Sequence, residues 1–260
     1  MMSEEFIPKI SVVIPAYNEE AWIERAVQSV KQQDYPGEFE IIVVDNGSTD
    51  KTALIATRCG TRVVYEPKRG PSAARNAGYN AAQGEIIAFM DADSFAPPDW
   101  LRSFLKPFLD PKNVVVAGRF LFEGSKYRSH RLFFKIYLEY LGTPIIWFWK
   151  ILGFHMFSGA NFAVRKSALD LANGFDTSVP FWGEDLLFAM NIKKTGRIKS
   201  VSYRIYTCAR RYNQNGWAKT TATYYINSLW VMLFKRSFNK DFGDLKIPIK
   251  EEKPAFSLQP

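Results

Sequence analysis

ISVVIPAYNEE, residues 10–20, decides how the chain is read. Five residues run almost entirely apolar into a proline and then a polar turn. Such continuity predicts a strand buried on both faces, the habit of parallel sheets rather than of sheets with one wet side. Four further runs repeat it: EIIVV at 40–44, RVVY at 62–65, EIIAFM at 85–90 and NVVVA at 113–117. Helical spacing fills the gaps. Residues 19–33, with Asn18 as cap, place Trp22, Ala26, Val27 and Val30 on one face. A second helix follows Ser48-Thr49-Asp50, a third covers about 71–82 and ends at Gly84, and a fourth starts near Pro97-Pro98. This alternation predicts an α/β fold, a doubly wound and mostly parallel sheet with its ligand site outside the C-terminal strand ends.

The opening stretch also excludes two common owners of such a sheet. A dinucleotide-binding enzyme needs a glycine-rich turn after its first strand, and PAYNEE at 15–20 has no glycine. No Gly-x4-Gly-Lys-Ser/Thr string exists either, so a P-loop is absent. Two cysteines, Cys59 and Cys208, stand far apart, which rules out a disulfide scaffold and fits a reducing compartment. Two histidines, His130 and His155, leave little for a histidine-rich metal centre and read as packing or surface residues. The N-terminal MMSEEFIPKI is acidic without an apolar core, so no secretory signal is expected.

With 47% hydrophobic residues in 260, the chain can fill a sizeable core. Its +8 net charge is unevenly spread. Residues 1–120 carry 13 basic and 16 acidic side chains, whereas 121–260 carry 21 and 10. The second half is therefore expected to face something anionic. Its pattern differs too: 130–157 is dense in aromatics, 158–165 reads as a strand and 166–172 as a short helix. Residues 184–195 form another helix, 197–207 one or two strands, 217–236 a helix, and the tail from Asn239 an extended arm. This divides the chain into residues 1–120, 121–216 and 217–260.

The strongest chemical signal is Asp91-Ala92-Asp93 at the end of an apolar strand. Carboxylates two residues apart converge as a chain leaves a sheet, and Mg²⁺ or Mn²⁺ takes one or two such oxygens together with substrate phosphates. Alone, an Asp-x-Asp triplet is better explained by a solvated turn. Asp45, in VVDNGSTD, leaves another strand on the same edge, and alone it could simply form an Asx-turn. Pro15, Ala16, Tyr17, Asn18 and Glu19 leave the first strand there as well. Three polar turns on one edge make a nucleotide pocket.

IPAYNEE, VVDNGSTD and RGPSAARNAGYNAAQGEIIAFMDAD, in this order and spacing, resemble the N-terminal half of family 2 glycosyltransferases with the GT-A fold. SGANFAVRKSALDLANGFD at 158–176 and WGEDLLFAM at 182–190 are similar to that family's acceptor-side segments. The resemblance covers about residues 9–216. It implies a Rossmann-like GT-A sheet flanked by helices, followed by an acceptor-binding half and a C-terminal helical segment. It also implies that Pro15, Ala16, Tyr17 and Glu19 frame the base and ribose of a nucleotide-diphosphate sugar, that Asp45 bonds the base, and that Arg75 lies near the base or diphosphate. Asp91 and Asp93 become metal ligands, Asp93 the more direct, and Asp185 of the Glu184-Asp185 pair becomes the base. Gly159, Asn161 and Trp182 fall on the acceptor side.

The chemistry asks for these types independently. A sugar hydroxyl is a poor nucleophile until a carboxylate takes its proton, and a leaving diphosphate needs a cation or guanidinium donors. Arg210 and Arg211 could grip the diphosphate, or form a surface ion pair. Glu184-Asp185 by itself could be only acidic decoration of a helix N-terminus. The sequence departs from the family it resembles in lacking the Gln-x-x-Arg-Trp string that marks many processive polysaccharide synthases, which implies transfer of one or a few sugars. The longest charge-free run, 220–234, spans about 22 Å as a helix, short of the roughly 30 Å hydrocarbon core. Trp147, Phe148 and Trp149, and Trp230, Phe234, Lys235 and Arg236, combine aromatic and basic groups as interfacial helices do. A cytoplasmic protein, peripheral on an anionic membrane face, is therefore expected. No nucleic-acid recognition motif occurs. The expected reaction is inverting, metal-dependent transfer to a hydroxyl of a glycan or lipid-linked saccharide. The alternatives are transfer to a polyprenyl phosphate and a non-catalytic sugar-binding module.

Overall fold

The computed structural model describes residues 7–123, 159–179 and 183–236. Strands β1 (Ile10–Ala16), β2 (Phe39–Asp45), β3 (Arg62–Tyr65) and β4 (Ile86–Met90) alternate with helices α1 (Ile23–Lys31), α2 (Thr52–Arg58) and α3 (Pro71–Ala81). Then come β5 (Ser94–Phe95), the short α4 (Leu105–Phe108), β6 (Asn113–Glu123), β7 (Asn161–Arg165) and α5 (Lys166–Ala172). The chain continues through α6 (Glu184–Ile192), β8 (Arg197–Cys208), α7 (Arg210–Asn215) and α8 (Trp217–Phe234). The described strands form one sheet in the order β3-β2-β1-β4-β7-β6-β8-β5.

Both faces of β1 are covered, which accounts for its unbroken apolarity. Ile10, Val12, Ile14 and Ala16 pack on one side with Val27 and Val30 of α1 and with Trp100 and Phe104. Val13 points to the other side, with Ala74 of α3, Phe89, Phe162 and Phe175. Strand alternation thus divides one apolar run between two cores.

The first four strands are parallel, as expected. The remainder of the sheet is mixed. β7 lies antiparallel between β4 and β6, β8 runs parallel to β6, and β5 is antiparallel to β8. Asn18 does not cap α1. It adopts φ 53°, and its Oδ1 accepts the Thr49 N–H at 2.8 Å. The helix begins later, where the Trp22 and Ile23 amides both donate to the Glu19 carbonyl at 2.9 Å. α8 docks on α6 through Val231 against Leu187 and Val179. The aromatic run 130–157, with His130, His155, Trp147, Phe148 and Trp149, lies outside the described residues, as do Trp182 and the tail from Asn239.

Candidate active site

Register fixes where the acidic turns emerge. Ala16 is opposite Asp45 across β1 and β2, and Val13 is opposite Phe89 across β1 and β4. The turns after all three strands therefore open on one edge, as the sequence predicts.

The first two turns are stitched together. Ser48 Oγ accepts the Asn18 N–H at 3.0 Å, and Thr52 Oγ1 accepts the Glu19 N–H at 2.7 Å. Asp45 Oδ1 takes the Ser48 N–H at 3.0 Å, an Asx-type turn. Tyr17 carries the Arg69 guanidinium over its ring, 3.0 Å from the centroid. Asn46, buried, holds the approach to α3. Its Nδ2 donates to the Glu66 and Lys68 carbonyls at 2.8 Å, and its Oδ1 accepts the Gly70 N–H at 2.9 Å. Neither Arg69 nor Asn46 was singled out by sequence. The only signal was their place inside the quoted motifs.

Asp91 and Asp93 leave β4, and a second strand pair pins them. Ser94 of β5 faces Thr207 of β8. The Cys208 N–H donates to the Asp93 carbonyl at 3.2 Å, and Thr207 Oγ1 lies 3.4 Å from Asp93 Oδ1. The same pairing delivers Arg210 to the site. Its guanidinium forks onto both oxygens of Glu19 and stands 3.2 Å from Asp93 Oδ2. Burial lowers the Arg210 pKa, but Asp93 and Glu19 more than reverse it. Arg211 turns elsewhere and donates to the Tyr224 hydroxyl of α8. Burial pushes Asp91 up to about 6, with Arg75 opposing and Asp93 and Asp185 reinforcing the rise.

The chemistry of this donor set fits a hard divalent ion that also has substrate oxygens. Among the described residues no group of three or more His, Cys, Asp or Glu side chains is arranged to hold a metal alone. Two carboxylates then complete a Mg²⁺- or Mn²⁺-type shell only with phosphate or water.

Glu184 and Asp185 open α6 and lie beside Arg75 of α3, whose guanidinium also feels the charge of Asp91 at the end of β4. Arg75 Nη1 is 2.9 Å from Asp185 Oδ1 and 4.0 Å from Glu184 Oε1. Burial lowers the Arg75 pKa, while Asp185, Glu184 and Asp91 in that order raise it, and the carboxylates win. The Gly159 N–H donates to Asp185 Oδ2 at 2.8 Å. Asn161 is fully buried. It accepts from Trp100 Nε1 at 2.9 Å and donates to the Arg119 carbonyl at 2.6 Å. Its side chain is thus a joint between elements, with neither end of the amide presented to an acceptor.

The glycosyl transferase family 2 model matches residues 11–171. The minor teichoic acid biosynthesis protein GgaA of Bacillus subtilis is 28% identical over 251 residues, 88% of this chain and 55% of that protein. Glycosyltransferase AglE of Haloferax volcanii is 38% identical over 102 residues, 36% of this chain and 34% of that protein. The chain thus spans about half or less of these relatives' length. Mannosyltransferase PcManGT of Pyrobaculum calidifontis, in complex with GDP-Man and Mn²⁺, superposes with a TM-score of 0.66 at 24% identity, covering 88% of this chain and 65% of that one. Mycobacterium tuberculosis glucosyl-3-phosphoglycerate synthase, in complex with Mn²⁺, UDP and glucosyl-3-phosphoglycerate, gives 0.58 at 24% identity, covering 87% and 79%. These two likenesses establish a shared fold, and the family match establishes kinship. The chain belongs to glycosyl transferase family 2.

Proposed function

We propose that the chain transfers a sugar from a nucleotide-diphosphate sugar to an acceptor hydroxyl with inversion at the anomeric carbon. One observation carries this reading: Arg75 contacts the Glu184-Asp185 pair and also feels the charge of Asp91, the first carboxylate of the Asp91-Asp93 pair from a distant part of the sequence. A cation-type site therefore adjoins a base-type site. Pro15, Ala16, Tyr17, Glu19 and Asp45 would frame the base and ribose, with Arg69 stacking on Tyr17. Asp91 and Asp93 would hold Mg²⁺ or Mn²⁺ together with diphosphate oxygens, and the ion when bound supplies charge that stabilises the leaving nucleoside diphosphate. Arg210 must exchange its carboxylate partners for phosphate to assist it. Asp185 would take the acceptor proton, and a base placed across from the leaving group implies a single displacement.

Structural neighbours described with GDP-Man or UDP support a nucleotide-diphosphate sugar as donor. The acceptor we propose is a glycan or lipid-linked saccharide, at an anionic membrane surface. Among the described residues no helix is long and apolar enough to cross a membrane. A polyprenyl phosphate acceptor would be ionised already and would need no base, so the Glu184-Asp185 pair favours a hydroxyl.

The test begins with thermal-shift screening of UDP-, GDP-, CDP- and dTDP-sugars with Mn²⁺. Nucleoside diphosphate release from the donor so identified is then measured with and without EDTA. Chelation and Asp93→Asn should both abolish turnover. Asp185→Asn should lower it by about 10²–10⁴-fold with donor affinity retained. Metal-independent turnover would remove the proposed role of Asp93.

A further inference from the structure

Asp185 is held at both oxygens by groups from different parts of the sheet. Oδ1 meets Arg75 Nη1 at 2.9 Å, and Oδ2 accepts the Gly159 N–H at 2.8 Å. Arg75 is itself only 4% exposed, so its guanidinium cannot swing out to water as a surface arginine does. α3, packed against β1 and β2, fixes one side of this clamp. The other side is fixed by strand register. Asn161 pairs with Met90, and Gly159 stands two residues before it, beside the turn that carries Asp91.

Space at Gly159 is as specific as the bonds. A Cβ there would lie 2.0 Å from Arg75 Nη2, 2.8 Å from Arg75 Cζ and 2.5 Å from Asp185 Oδ1. Any side chain would therefore displace the guanidinium, the carboxylate or both. The absent side chain, more than any contact with an acceptor, explains glycine at this position.

We propose that Arg75 is a positioning residue for the base, acting through Asp185, and that Gly159 makes the clamp sterically accessible. The inference rests on the reading of Asp185 as the base. A carboxylate on the first turn of α6 has several rotamers, of which the clamp selects one. Positioning of this kind is worth about 10²-fold in rate for a displacement of around 1 Å. The clamp does not involve the base-side turns at Tyr17, Asp45 and Glu19, and it reaches the diphosphate side only through the charge of Arg75 on Asp91.

The experiment is a double-mutant cycle on the full chain, comparing Arg75→Met, Asp185→Asn and the pair. Turnover is read as nucleoside diphosphate release from the UDP- or GDP-sugar that the thermal-shift screen identifies. Nucleotide affinity is read by calorimetry with UDP or GDP and Mn²⁺. Expected are a kcat loss of about 100-fold for Arg75→Met, a change in nucleotide affinity far smaller than that, and almost no further loss when Arg75→Met is added to Asp185→Asn. Arg75→Lys should regain part of the rate, and Gly159→Ala should show the same dependence on Asp185. If Arg75→Met fails to fold, these two milder variants carry the cycle. An equal loss in both backgrounds, a proportional loss of nucleotide affinity, or an unchanged kcat would overturn the proposal. Wild-type turnover by Asp185→Asn would instead sink the base assignment itself, whatever Arg75 does, and the positioning role with it.

Discussion

Glu184 sits where its charge is disfavoured. Burial raises its pKa, Asp185 next to it raises it further, and Arg75 at 4.0 Å only partly compensates. The unfolded chain thus releases this proton at a lower pH than the folded one. Between the ordinary carboxyl value and the raised folded value, stability falls as pH rises, and above that window the full cost persists. Glu184→Gln should therefore stabilise the protein at pH 8 by about 2–4 °C in Tm, with the gain shrinking toward pH 5, as differential scanning calorimetry would show. A gain independent of pH would point to packing rather than charge. Asp91, Asp93, Glu184 and Asp185 were picked out through the order and spacing of the family-like motifs, since each pair taken alone reads as a turn or a helix start. The contacts of Gly159 and Arg75 with Asp185 were not legible, because they join positions far apart in sequence. The bonds of the Asn161 amide to Trp100 and to the Arg119 carbonyl were illegible for a related reason, since what surrounds an amide is set by the fold.

At the scale of elements, strands announce themselves when both faces are apolar, and β1, β2, β4 and the start of β6 lie where their apolar runs predict. Their partners are another matter. Periodicity cannot reveal that β7 enters antiparallel between β4 and β6, because Asn161–Arg165 would look the same in either direction. Nor can it show β5, two residues held by pairing with β8 rather than by any propensity. Asn18 resembled a cap by residue type, but its left-handed backbone serves the turn to α2 instead. The packing of α3 is testable. A Cβ on Gly78 would stand 2.2 Å from Val13 Cγ1 and 3.1 Å from Val44 Cγ2. Gly78→Ala should destabilise by about 1–3 kcal/mol through overpacking, measured by urea unfolding, despite alanine's better helix propensity. Since α3 also carries Arg75, the variant should lose turnover as well.

Across the whole molecule, charge and apolar surface coincide. The basic half of the sequence ends its described part with α8, where Ile226, Leu229 and Leu233 are 51%, 48% and 61% exposed, just before Lys235 and Arg236. Exposed apolar groups beside basic ones suit the proposed membrane surface. Flotation with liposomes containing anionic lipid should recover the protein at low salt and release much of it at about 0.5 M, where screening is short-ranged. Equal recovery on neutral vesicles would remove the electrostatic part of this reading. The sheet itself carries a further consequence, one of time. β4 is bordered by β1 on one side and by β7 on the other, and Met90 meets Asn161 about seventy residues later. At about 5–20 residues per second on the ribosome, that interval lasts roughly 4–14 s. Throughout it, Ile86–Met90, a strand that ends fully buried, has an open hydrogen-bonding edge. The β4 edge stays unpaired on the β7 side until the later half is made, so synthesis is a period when this sheet is open to mispairing.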